Sequence, residues 1–377
     1  MRNPRRGQLP TPSKICFRDR DVRERFQYSG YADESERNHE FSGESARNVR
    51  YCETLRRYSA YDAWSLAVFA AAETPRCATI ILPGMKTAAF VGLGIMGEPM
   101  AGHLLAGGYA LRVYSRTKAK AAALLDAGAV WCASAADAAT DTPIVCINVT
   151  DTPDVEQVLF GENGAAATLQ PGSIVLDFST ISPPATQAFA ARLAERGVSL
   201  LDAPVTGGDI GARNATLTIM VGGDRAAFDR VAPMLALLGK RIVHVGPSGS
   251  GQLLKACNQV LCALNMIGVC EALTLAKQAG LDQSVALETL SAGAGGSWAW
   301  TNLGPKIVAG DLKPAFMIKL IQKDLRIVQA AAQELGTPLP GTALAQQLFR
   351  VVEALAGGEN LGTQGMIRAY QRLSGGE

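Results

Sequence analysis

Gly92, Gly94 and Gly97 spell G-x-G-x-x-G within GLGIMG. Such a triplet suits a dinucleotide pyrophosphate when a strand leads in and a helix leads out. The first glycine allows the tight turn, the second lets backbone approach the phosphates, and the third permits close helix–strand packing. The apolar TAAFV stands before the triplet, and Met96 to Ala106 reads as a helix after it. Leu93, Ile95 and Met96 are therefore counted with the three glycines as cofactor-binding residues, and the free amides of the helix start are available to phosphate. Further on, where a ribose-binding acid is expected, stand Ser115, Arg116 and Thr117. A serine does not repel a 2′-phosphate, and an arginine pairs with one through charge-assisted bonds. The expectation is a preference for NADP(H). NAD(H) stays admissible if Arg116 only stacks on adenine.

Three more stretches could carry chemistry. Thr150, just past the apolar TPIVCINV, is counted with the cofactor contacts, as is Thr180 in DFSTISP at the end of another strand. Ligands bind at such carboxyl ends in open α/β sheets. In DAPVTGG, Thr206 offers a hydroxyl and Gly207 and Gly208 offer unobstructed backbone N–H groups, a fit for a substrate carboxylate. Either loop, taken alone, also reads as an ordinary turn. In GSGQLLKACNQ, Lys255 has apolar neighbours, with Asn258 at i+3 on the same helix side. A lysine on a helix is commonly solvated, but a partly buried one beside a nicotinamide can act as general acid for a carbonyl becoming an alcohol.

Positioning these groups requires two kinds of architecture. From Lys86, strands such as LRVYSR, SIVLDFST and VSLLDAPV alternate with helical stretches such as Lys118–Ala127 and Ala185–Arg196. That alternation implies βαβ units and a doubly wound parallel sheet. After Gly251 the strand signals stop. Gln252–Ala279 reads as one long proline-free helix, followed by helical stretches at Asp282–Leu290, Lys319–Leu335 and Thr342–Ala356. The expected organisation is an α/β Rossmann domain over 85–248 and an all-α domain over 249–377, joined by a long interdomain helix.

Residues 1–84 differ from the rest. They carry 14 of the 36 Lys and Arg against 11 of the 34 Asp and Glu, so the formal charge of +2 originates there. Without sustained periodicity they read as a weakly ordered extension that the catalytic part does not need, and Met85 reads as the natural start. The interspersed acids argue against a nucleic-acid arm and against a transit peptide. No uninterrupted apolar run approaches the roughly 18 residues of a membrane span. The eight cysteines form no CxxC pair and read as reduced core residues of a cytoplasmic protein. The three histidines lie far from any cluster of cysteines or carboxylates, so no metal site is expected.

GLGIMGEPM, DFSTISP, DAPVTGG, GSGQLLKACNQ and Lys323-Asp324-Leu325 occur together in this order. This set resembles the β-hydroxyacid dehydrogenase family, which includes 3-hydroxyisobutyrate dehydrogenases and tartronate semialdehyde reductases. The resemblance runs from Met85 to about Gly375. It implies a cleft between the two domains, Lys255 as catalytic acid/base, and Thr206, Gly207 and Gly208 on the substrate carboxylate. It also implies that Thr180 and Lys323 approach cofactor and substrate, and that copies of the chain associate as dimers or tetramers. The family usually has Ser at the place of Thr206. Many members have Asn four residues after the lysine, where this chain has Gln259, with Asn258 one earlier. Either amide could support catalysis. GAGGSWAWTNLG and PLPGTALAQQLF lean towards tartronate semialdehyde reductases, with Trp298 and Trp300 either narrowing the pocket or packing helices. The expected activity is NADP(H)-dependent interconversion of 2-hydroxy-3-oxopropanoate and glycerate. Related hydroxyacids and semialdehydes, including 3-hydroxyisobutyrate, glyoxylate and succinic semialdehyde, stay open as substrates. A non-catalytic cofactor-binding interaction module is the rival from another class.

Overall fold

The computed structural model describes residues 86–375. The expectations for residues 1–84 and for Met85 lie outside that range. Nine strands form one sheet: β1 Lys86–Val91, β2 Tyr109–Tyr114, β3 Val130–Trp131, β4 Ile144–Ile147, β5 Ile174–Asp177, β6 Ser199–Asp202, β7 Val205–Thr206, β8 Leu217–Gly222 and β9 Gly239–Gly246. The order is β3-β2-β1-β4-β5-β6-β8-β7, with β9 also on β8. Sequential strands run outward from β1 to β3, then restart on its other side with β4. The crevice between β1 and β4 is the topological switch point, where such sheets bind ligands.

The central strands read as apolar runs because helices cover both sheet faces. In β1, Ala88 and Phe90 enter one core while Ala89 and Val91 enter the other, as a period of two requires. The covering helices are α1 Gly97–Ala106, α2 Ala122–Asp126, α3 Ala135–Ala139, α4 Thr152–Phe160, α5 Pro183–Ala194, α6 Gly208–Arg213 and α7 Arg225–Leu235.

Two expectations need correction. The sheet is mostly, not wholly, parallel: β8 runs antiparallel to β6 and β7. The link from β7 to β8 holds only the short α6, too little chain for a parallel crossover. The single helix expected over Lys118–Ala127 is instead a 3₁₀ turn, Lys118–Ala121, followed by α2.

The rest is helical: α8 Ser250–Gln278, α9 Gln283–Ser291, α10 Trp298–Val308, α11 Ile318–Glu334, α12 Pro340–Glu353 and α13 Ile367–Leu373. Helix α8 is the axis. Its Ala263, Met266, Cys270 and Leu273 share a core with Trp300 and Leu303 of α10, Ile321 and Leu325 of α11, and Phe349 of α12. At 29 residues and a mean hydropathy of 1.6 in its best window, α8 is long and apolar enough to span a bilayer. The reading by uninterrupted runs missed this because polar residues such as Lys255, Asn258 and Gln259 interrupt the leucines. Here the helix is a packed axis between sheet and helices. The cysteine expectation holds for buried Cys132, Cys146 and Cys270, but Cys257 and Cys262 are exposed on α8.

Candidate active site

The turn between β1 and α1 is shaped by its backbone. Gly92 has φ of +98°, and a Cβ there would lie 2.2 Å from the Asn148 carbonyl oxygen of the strand across the switch point. A Cβ on Gly97 would lie 2.0 Å from the Gly92 carbonyl oxygen, so only glycine lets α1 sit against the turn. Gly94 is different: no heavy atom lies within 4 Å of a Cβ built there. Its backbone faces open space, as a site for an incoming pyrophosphate requires. Leu93 is buried beneath the turn, whereas Ile95 is exposed on it. Ser115, Arg116 and Thr117 follow β2, whose Tyr114 carbonyl accepts from the Gly92 N–H at 2.9 Å. The Arg116 guanidinium is exposed and lies 3.3 Å from Asp154 of α4. Thr150 is exposed beside Asp151, the α4 cap.

The placement of Lys255 depends on how α8 joins the sheet. Buried Asp202, at the end of β6, accepts from the N–H groups of Gly249 at 2.8 Å and Gln252 at 3.0 Å. A carboxylate satisfies orphan donors at a helix start and opposes the positive end of the helix dipole. Gln252 adds two bonds to the loop after β5, accepting from the Ile181 N–H and donating to the Ser179 carbonyl. Gly251 permits the approach, since a Cβ would lie 2.4 Å from the Met220 carbonyl oxygen. With the first turn of α8 pinned, Lys255 falls one turn further on.

Lys255 is 8% exposed. Burial lowers its proton affinity, the Asp324 carboxylate and the Cys262 thiol oppose that, and Lys323 reinforces it. Lys323 and Asp324 come from α11, far away in sequence. The Lys323 Nζ donates to the Thr180 carbonyl oxygen at 2.6 Å and lies 2.7 Å from Asp324 Oδ1. One turn on, Arg326 pairs with Asp151. Helix α11 is thus fastened to the sheet beside Thr150 and Thr180. Buried Gln259 donates from Nε2 to Asp324 Oδ2, and its Oε1 accepts from Asn258 Nδ2 at 2.7 Å. Two lysines against one carboxylate leave the cluster net positive, a match for an anionic substrate.

Thr206 ends β7 and is followed by Gly207 at φ +130° and Gly208 at φ +64°. Both glycines are exposed, and no heavy atom lies within 4 Å of a Cβ on Gly208. Of the tryptophans, Trp300 is buried and donates its indole N–H to the Leu287 carbonyl, so it packs helices. Trp298 is exposed at the start of α10. The sequence reading passed over Asp202, Gln252 and Asp324 as functional groups. Asp202 and Asp324 lay inside quoted motifs, and burial of a carboxylate there was the missing signal.

Residues 87–246 match the family model for the NAD binding domain of 6-phosphogluconate dehydrogenase. Residues 249–370 match that for the NAD-binding region of NADP-dependent 3-hydroxyisobutyrate dehydrogenase. The chain is 46% identical to an uncharacterized oxidoreductase of Synechocystis sp., covering 76% of this chain and 98% of that one. The chain belongs to the β-hydroxyacid dehydrogenase family. It is 42% identical to the 2-hydroxy-3-oxopropionate reductase of Escherichia coli, over 76% of this chain and 97% of that one. Among solved structures it resembles a 3-hydroxyisobutyrate dehydrogenase from Salmonella typhimurium at 32% identity, TM-score 0.69, over 75% of this chain and 99% of that one. It is therefore an NAD(P)-dependent oxidoreductase acting on a hydroxyl group, with its NAD-binding domain over residues 87–246.

Proposed function

We propose that this enzyme is an NADP(H)-preferring reductase of a small carboxylate-bearing aldehyde, converting 2-hydroxy-3-oxopropanoate to glycerate. The observation that carries this reading is the buried Lys255, set one turn beyond the Asp202 joint and forming a net positive cluster with Lys323 and Asp324. Identity to the Escherichia coli reductase supports the choice of aldehyde. The 3-hydroxyisobutyrate dehydrogenase likeness makes that hydroxyacid the second reading.

The backbone of Gly92–Gly97 holds the pyrophosphate, with Thr150, Thr180 and Lys323 towards the nicotinamide end. Ser115, Arg116 and Thr117 receive the 2′-phosphate, Arg116 exchanging Asp154 for it. When bound, the reduced nicotinamide supplies a hydride to the aldehyde carbon. Thr206, Gly207 and Gly208 bind the substrate carboxylate, assisted by the charge of Lys323. The Lys255 Nζ donates its proton to the aldehyde oxygen as that oxygen gains negative charge, leaving a neutral amine and the product alcohol. A lowered proton affinity makes Lys255 the stronger acid for this transfer, and general acid catalysis of this kind contributes typically ~10²–10⁴-fold. A homo-oligomer, dimer or tetramer, is part of the same reading.

NADPH consumption with a panel of semialdehydes tests the reading. The expected result is the highest kcat/KM with 2-hydroxy-3-oxopropanoate. Inactivity on every member, with NADPH still bound, would overturn it.

A further inference from the structure

Gln259 stands four residues after the lysine and Asn258 three, and the hydrogen bonds assign them different work. Asp324 is 3% exposed, and its carboxylate has the Lys323 ammonium 2.7 Å from Oδ1. An ionised carboxylate only accepts. Gln259 must therefore present its Nε2 to Asp324 Oδ2, which turns its Oε1 the other way. An amide oxygen also only accepts, so Asn258 must meet it with Nδ2. The same Nδ2 lies 3.4 Å from the Cys262 sulfur, one turn further on. Both hydrogen bonds of Asn258 thus use its nitrogen, and its Oδ1 accepts none among the described residues. The orientation of both amides follows from one charge on α11. Flipping either would set two acceptors against each other.

Asn258 is half-buried and lies one turn beyond Lys255 on the same helix side. Gln259 is 2% exposed and has both ends of its amide engaged within the protein. We propose that Asp324 and Gln259 are positioning residues that lock Asn258 as a hydrogen-bond acceptor, and that this acceptor selects aldehydes with a hydroxyl on the neighbouring carbon. The inference rests on the reductase reading above. An amide oxygen has two lone pairs, so a bond from the Lys255 ammonium still leaves one for the substrate hydroxyl. A substrate without the hydroxyl leaves the acceptor unpaired when water is excluded, and a site built around a hydrogen bond rejects such analogues strongly.

The test compares two substrates that differ only in that hydroxyl, 2-hydroxy-3-oxopropanoate and 3-oxopropanoate. The intact enzyme is expected to favour the first in kcat/KM by about tenfold or more. Asn258→Leu should bring the ratio near one. Gln259→Met, which keeps volume but frees the asparagine to turn, should lower the ratio several-fold. Calorimetry on the enzyme loaded with NADP⁺ supplies a readout apart from turnover: glycerate should bind more tightly than 3-hydroxypropanoate, and Gln259→Met should narrow the difference several-fold. An undiminished ratio in Gln259→Met, or equal use of both aldehydes by the intact enzyme, would overturn the selection and leave the reductase reading standing. Failure of the intact enzyme to reduce either aldehyde would overturn both.

Discussion

The glycine turn at Gly92–Gly97 and the side-chain cluster around Lys255 are built in opposite ways. The turn works through what its residues lack: Cβ atoms at Gly92 and Gly97 would strike backbone, and Gly94 opens onto space. It is also local, one strand end and one helix start within a few residues of each other. The cluster works through what its residues carry, and it is assembled from distant chain. Asp202 pins α8 from β6, while Lys323 and Asp324 arrive on α11. A backbone cradle tolerates changes in charge and fails on added volume. A cluster of buried charge should do the reverse.

The largest expected effect breaks the cradle by volume. Gly97→Ala should abolish NADPH binding and cost about 2–3 kcal/mol in a thermal melt, because backbone opposes the new methyl group. Gly94→Ala separates ligand space from protein space. Its melting temperature should stay unchanged while the NADPH Kd rises about tenfold, near the low end of overpacking costs. A destabilised Gly94→Ala protein with unaltered Kd would place the cofactor elsewhere.

These contrasts also explain what was legible in the sequence. The G-x-G-x-x-G turn could be read because spacing, strand and helix lie in one short window. The alternation of apolar runs and helices gave the mostly parallel sheet for the same reason. The antiparallel β8 was not legible, since its direction follows from the short link through α6. Helix α10 was missed because a glycine run precedes it and Pro305 lies inside it. Lys255 could be singled out by its neighbours. The roles of Asp324 and Gln259 could not, because α8 and α11 meet only in the folded chain.

A smaller effect sharpens the charge side of the comparison. Asp177, at the end of β5, is fully buried, and desolvation is the main cause that pushes its carboxyl up to about 7. Between about pH 4 and pH 7 the folded chain therefore keeps a proton that the unfolded chain releases. Stability should fall as pH rises through that window and level off above it. Asp177→Asn should flatten this slope in denaturant titrations run at several pH values. An equal slope in both proteins would mean that the carboxyl is not held protonated.

The smallest expected effect concerns Arg116, which is exposed and shares its charge with Asp154. Arg116→Ala should lower the NADPH to NADH ratio of kcat/KM by roughly threefold to tenfold, and less at high salt. An unchanged ratio would remove Arg116 from 2′-phosphate recognition.

The central claim is that Lys255 protonates the substrate while other residues, the glycine turn foremost, hold the dinucleotide. Its most direct test is kcat for 2-hydroxy-3-oxopropanoate and Kd for NADPH, measured side by side in Lys255→Ala. The account predicts a fall in kcat of about 10²–10⁴-fold with nearly unaltered Kd. Retention of most of the activity would contradict it.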